Sequence, residues 1–352
     1  MPNGFGLFPY YVMLLIVLIC IIREESLYTI KEKKWNLIIA LIPIFVLIGL
    51  KSEYVGRDTI NYLNTFSSFG TEIETGEDGK KTMEVGFQVL IILLKKFTDN
   101  PQSLLITLGV LTCISLYQFI HRTATNWCLA LYFFICLGFF QFSMTGIRQT
   151  MAIDIVLLSY PFMKGKRIIL FTLVVAIAFF FHKSAIIFAP LFWISSMAIN
   201  KRNTILMIVC MTILFFGSEQ ILLATADTMN YQYGIERTNN GNIFLIVVLL
   251  ISIIAFKRKS IILKKNSDSI YLFNSNYVSV LLWIIRMVSR TVERVSLYFM
   301  PFTYVLLEQY LSTQPKRTKK QYYFIAILLA TILFLYRMSY QEDINNFIFF
   351  WQ

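Results

Sequence analysis

A chain of 352 residues that is 57% hydrophobic, with a mean hydropathy of +0.64, carries more apolar surface than a soluble domain buries. Its net charge of +12 comes without any stretch that alternates basic and aromatic residues, so a nucleic-acid interface is not expected. Five cysteines with no C-x-x-C pair, two distant histidines, and no Walker, G-x-G-x-x-G or H-E-x-x-H pattern leave nothing that argues for a metal centre or a nucleotide or redox cofactor.

The apolar residues come in runs. Phe5 to Ile22, Trp35 to Leu50, Leu104 to Ile120, Trp127 to Phe142, Ile147 to Met163 and Ile168 to Phe181 form the first half. Ala185 to Ile199, Thr204 to Ala224, Asn242 to Phe256, Tyr277 to Val288, Val295 to Leu311 and Tyr322 to Leu335 form the second. A crossing needs about 20 apolar residues. The pattern predicts an all-α polytopic integral membrane protein of about twelve transmembrane helices, some short enough to slip at their ends or to be re-entrant. The first run has no basic n-region and no small-residue cleavage site, so a permanent anchor is expected rather than a signal peptide. We expect one transmembrane domain over 1–352, an external segment over 51–101, and a second external loop over 225–241.

With the N-terminus outside, 19 of the 32 Lys and Arg residues fall in short cytoplasmic loops, as the positive-inside rule requires. Lysine predominates there, 13 to 6. On the outer face arginine leads, 7 to 6, with Arg57, Arg148, Arg237, Arg286, Arg290, Arg294 and Arg337. Topology does not distinguish the two cations, whereas the planar guanidinium fork grips carboxylate or phosphate bidentately. In "LLWIIRMVSRTVERVSLYF", Arg286, Arg290 and Arg294 recur every fourth residue, a stripe about 12 Å long if they share one helix. Facing lipid, each would cost about 2.5–3.5 kcal/mol. They are therefore expected to snorkel at the interface or, better, to line a hollow that holds an anion.

The first external segment opens with "YVGRDTINYLNTF", residues 54–66. Asp58 with Thr59 can cap a helix whose buried face carries Tyr62 and Phe66. An acidic string, Glu72, Glu74, Glu77 and Asp78, reads as a solvated turn. "EVGFQVLIILLKKF" follows, too short to span easily, and an amphipathic helix on the outer leaflet is expected, with Glu84 and Gln88 at one end. Further on, Arg148 and Gln149 open a run in "GIRQTMAIDIV", Asp154 lies deeper in it, and His182 interrupts "AFFFHKSAIIF" at the same face. An ionisable group within a span is a functional candidate, although Asp154 serves equally well as a partner for a neighbouring Arg or Tyr. His121 flanks a cytoplasmic loop and reads as structural.

Taken in order, "VGRDTINYLNTF", "EVGFQVLIILLKKF", "GIRQTMAIDIVLLSYPFMKGKR" and "AIAFFFHKSAIIFAPLFWI" resemble the EpsG family, the Wzy-like polymerases of bacterial surface polysaccharides. "RVSLYF" is similar to a later arginine-rich segment of that family, and Asp154 departs from its usual apolar or small residue. The resemblance implies a glycosyltransferase of the bacterial inner membrane. Such an enzyme joins oligosaccharide repeat units carried on undecaprenyl pyrophosphate, at the outer face, without a cofactor. Its partners would be those lipid-linked oligosaccharides and the bilayer, with a chain-length regulator and a flippase left open. The leaving diphosphate calls for cations, for which Arg148, Arg286, Arg290 and Arg294 are candidates, with Arg57 and Gln149 as further substrate-binding residues. The attacking hydroxyl calls for a base; Asp58 ranks first, then Glu84, with His182 as alternative. Tyr54 and Tyr62 suit sugar rings. A transporter or flippase of lipid-linked oligosaccharide, with Asp154 as proton site, an O-antigen-type ligase, and a non-enzymatic scaffold are the competing readings.

Overall fold

The computed structural model describes residues 4–70, 72–73, 83–217, 220, 242–289 and 291–352. The expected loop over 225–241, Arg237, Arg290 and most of the acidic string lie outside the described residues. Among those described, the chain is helical, with a single antiparallel bridge between Lys51 and Phe349 and no sheet. The helices are α1 (Phe8–Glu24), α2 (Ile30–Gly49), α3 (Thr59–Ser68), α4 (Val85–Lys95), α5 (Gln102–Thr123) and α6 (Trp127–Cys136). Next come α7 (Phe139–Ser143), α8 (Ile147–Leu157), α9 (Tyr160–Lys164), α10 (Ile168–Phe181), a 3₁₀ turn over Lys183–Phe188, α11 (Leu191–Ile194) and α12 (Lys201–Phe216). The remainder are α13 (Asn242–Lys257), α14 (Lys259–Lys265), α15 (Ser269–Ile285), α16 (Thr291–Ser296), α17 (Met300–Ser312) and α18 (Lys316–Tyr340).

Every predicted apolar run contains helix over its described residues, but several are broken. Gly138, at φ +107°, adopts the left-handed backbone that separates α6 from α7. Pro161 opens α9 and Pro190 precedes α11, each starting a new helix where the ring permits one. Only α5 and α18, among the described residues, are both long and apolar enough to cross a membrane unaided; α10, α13 and α15 are shorter apolar helices. Large apolar side chains face outward along the bundle, Ile169 at 79% and Leu329 at 60% exposure among them. A soluble monomer does not carry such a surface. The chain is an all-helical membrane protein.

The helices pack around an aromatic core. Phe119 of α5 meets Phe134 of α6, Tyr160 of α9 and Phe302 of α17 edge to face, with centroids 5.1–6.2 Å apart, and Phe134 meets Tyr304 at 5.1 Å. Edge-to-face pairs add to area burial by matching the positive ring edge to the negative face.

Polar contacts gather the connections into two sets. At one end Lys164 pairs with Asp268, Arg258 donates to the Thr313 carbonyl at 2.9 Å, and Lys259 to that of Ile199 at 3.3 Å. Here Thr29 and Glu32 form a reciprocal capping box that starts α2. At the other end the C-terminal segment closes on the start of the chain and on the exit of α2. Phe5 N–H donates to the Phe347 carbonyl at 2.8 Å, Ser52 N–H to Ile348 at 2.9 Å, and Gly56 N–H to Asp343 at 2.7 Å. The candidate residues belong to this second end.

Candidate active site

Four helix ends converge there, each carrying one polar side chain. Tyr62 lies in the first turn of α3, Glu84 immediately precedes α4, Arg148 is the second residue of α8, and His182 terminates α10. Glu84 occupies a capping position but makes no capping bond, because its carboxylate is turned elsewhere. One oxygen accepts from Arg148 Nη1 and the other lies 3.2 Å from His182 Nδ1. Arg148 Nε donates to the Tyr62 hydroxyl at 3.0 Å, and its guanidinium stands over the Tyr62 ring at 5.5 Å. Tyr62 rests edge-on against Phe87 of α4 at 5.5 Å.

Gly86 makes this convergence possible. A Cβ there would stand 2.8 Å from the Phe180 carbonyl, so the start of α4 passes directly against the last turn of α10. We expect Gly86→Val to push α4 away and separate Glu84 from His182. The variant should accumulate at reduced level and melt at a lower temperature than the wild type in detergent, read by a thermal unfolding scan.

The electrostatics follow from depth. The Glu84 side chain is 8% exposed, beneath Arg148 at 29% and His182 at 21%. Burial alone would raise its carboxyl, but the His182 hydrogen bond and the Arg148 charge outweigh burial and hold it below the usual carboxylate range. An ionised carboxylate only accepts, so Nδ1 carries a proton, and it is the neutral form of the ring that has a lone pair on Nε2. Burial raises the Tyr62 hydroxyl, against the opposing Arg148 charge. The unit is thus a cation and a polarised imidazole on one buried carboxylate. Among the described residues no three His, Cys, Asp or Glu side chains come together to hold a metal ion.

The other candidates fall around this unit. Asp58 is half-buried at the start of α3, makes no capping bond there, and its charge reaches Tyr62. Arg57 and Tyr54 are exposed, Arg57 being held by its backbone N–H on Asp343 at 3.1 Å. Gln149 donates to the Arg294 carbonyl at 2.7 Å, and Ser184 meets the buried Tyr298 hydroxyl at 3.1 Å. These two bonds draw the 286–298 segment to the unit. That segment is not the continuous helical stripe expected. α15 ends at Ile285, Arg286 to Ser289 turn, and α16 begins at Thr291. At 17 residues α15 is already about 25 Å long, and charge at its end belongs where the helix meets polar surroundings. Arg286 is buried with its Nε 3.1 Å from Glu293, whereas Arg294 is exposed. Glu293 had no role in the sequence reading, although a lone acid within an arginine-rich stretch is a pairing signal. Asp154 is fully buried on α8 and takes the Thr112 hydroxyl of α5 at 2.6 Å, in place of the Arg or Tyr expected.

No curated protein and no solved structure matches the chain. The model of the EpsG family matches residues 34–351, nearly its whole length and all four helix ends of the unit. The chain belongs to the EpsG family, a family of Wzy-like polysaccharide polymerases.

Proposed function

We propose that this protein polymerises oligosaccharide repeat units carried on undecaprenyl pyrophosphate into a surface polysaccharide, at the outer face of the bacterial inner membrane. The observation that carries the proposal is the carboxylate shared between Arg148 and His182 at one end of the bundle, in a member of this family. The division of the connections into two sets supports about twelve crossings with the N-terminus outside. Residues 5–7 then lie with the candidate unit, and the lysine-rich loops lie opposite.

In this reading His182 Nε2 takes the proton from an acceptor sugar hydroxyl while Glu84 orients the ring and stabilises the imidazolium. The freed oxygen attacks the anomeric carbon of the donor chain. The bond from that carbon to the diphosphate breaks, and its electron pair leaves with the diphosphate. Arg148 supplies a cation where that charge develops, joined by Arg294, whose backbone carbonyl accepts from Gln149 beside Arg148. Tyr54, 54% exposed, offers a ring face to a pyranose. The geometry supports the Glu84–His182 pair as base ahead of Asp58.

His182→Ala tests this. The protein should remain in the membrane while long polysaccharide is replaced by a single-repeat product, whereas Asp58→Asn should lose less. Full-length chains from His182→Ala would overturn the assignment. Undecorated lipid-linked repeats held in the cytoplasmic leaflet would point to a flippase, and polymer made but not transferred would point to a ligase.

A further inference from the structure

Lys51 lies outside the unit just described, yet the fold buries it completely. Its ammonium donates to the Thr59 hydroxyl at 3.0 Å and to the Met144 carbonyl. Among the described residues no carboxylate pairs with it directly; Asp343 acts on it from further away. A buried ammonium held by neutral oxygens is costly, and an apolar side chain of similar volume would fill the space without that cost. Three donors on one atom are what such a side chain cannot supply.

The two acceptors are informative. Thr59 is the first residue of α3, three residues before Tyr62, and Met144 sits in the turn that opens α8, four residues before Arg148. Lys51 therefore spans the starts of the two helices whose side chains meet at the Tyr62–Arg148 bond. The loop between them has no slack. Gly56 is left-handed at φ +94°, and a Cβ there would stand 2.1 Å from the Met144 carbonyl. On its other side Asp343 takes the Gly56 N–H on its carbonyl and the Arg57 N–H on its carboxylate.

The geometry points to Lys51 as a positioning residue that sets the gap between α3 and α8 and so holds Arg148 on Glu84 and Tyr62. This rests on the active-site reading above. The groups around the ammonium are Thr59 of α3, Met144 of the α7–α8 turn and Asp343 of the C-terminal segment. Arg57 and Asp58 lie beyond Gly56 towards solvent. Burial pushes the Lys51 amine down to about 7, with Asp343 pulling the other way. Above that pH the amine loses its charge, both of its hydrogen bonds weaken, and the gap loosens.

Membranes bearing each variant, supplied with lipid-linked repeat units, provide the test across pH 6–9. Lys51→Met, present at wild-type level, should elongate at least tenfold more slowly at pH 6.5. Lys51→Arg, which keeps its charge, should sustain elongation at pH 9, where the wild type has declined. Lys51→Met elongating at the wild-type rate would overturn the proposal. Should Lys51→Met fail to accumulate, Lys51→Arg declining in parallel with the wild type would overturn it instead. Glu84→Gln is the companion measurement. If it elongates normally, the active-site reading fails and takes this inference with it; if it is inactive while Lys51→Met is normal, only the role of Lys51 falls.

Discussion

Glu84→Gln should abolish long polysaccharide while leaving the protein folded and in the membrane. The replacement is isosteric, and its amide oxygen can still accept from His182 Nδ1–H, so the imidazole keeps its orientation. What disappears is charge. In the proposed mechanism the imidazolium that forms on His182 loses its counter-ion, and Arg148 loses the carboxylate that now receives Nη1. Positioned acid–base catalysis contributes about 10²–10⁴-fold, and a loss in that range reduces a long chain to its first repeats. Arg148→Lys should fall in the same range for another reason, because an ammonium cannot serve Tyr62 and Glu84 at once from two nitrogens. The measurement is chain length on gels, with lipid-linked intermediates identified by mass spectrometry. Wild-type chain length in Glu84→Gln would remove the carboxylate from the mechanism.

The elements of the site were legible in the sequence because charge at the ends of apolar runs is conspicuous. Glu84 opens a short helix, Arg148 begins a run and His182 ends one, all at one face of the expected orientation. Their meeting was not legible, since it depends on Gly86 letting α4 approach α10, and no local pattern records a contact between residues 86 and 180. The loop motif placed Asp58 ahead of Glu84. Packing leaves Asp58 half-exposed and gives Glu84 two partners, and that contrast is why the proposed mechanism prefers the Glu84–His182 pair. The arginine periodicity ran through a real break, since residues 286–290 contain neither glycine nor proline to announce one. Gly138 and Pro190 lie inside runs expected to be continuous, and there the helices stop. The C-terminal segment carries no periodic signal, yet it joins residues more than 280 positions apart at Arg57 and Asp343.

At the opposite end of the bundle, Glu308→Ala should destabilise the fold without changing the chemistry. α6 begins partly buried in the protein, and three side chains meet its first N–H groups. Glu308 accepts from Thr125 and Asn126 N–H at 2.9 and 2.8 Å, and Glu24 from Trp127 and Cys128 N–H, both at 2.8 Å. Asn126 Oδ1 accepts from Leu129 N–H at 2.9 Å. Carboxylates suit this position because the unpaired donors of a helix start carry partial positive charge. Removing the fully buried Glu308 leaves the buried Asn126 N–H unmet, at about 1–3 kcal/mol, while the N–H of the exposed Thr125 can turn to water. Glu308→Gln keeps one acceptor and should cost less. The check is the thermal midpoint in detergent together with the amount of protein in the membrane, which should fall in the order wild type, Gln, Ala. Polysaccharide per surviving molecule should stay at wild-type length, because the Glu84 unit lies at the other end of the helices. An Ala variant that melts with the wild type would mean that the two amides find other acceptors. The anchorage of α6 would then rest on Phe134 and its packing against Phe119 and Tyr304.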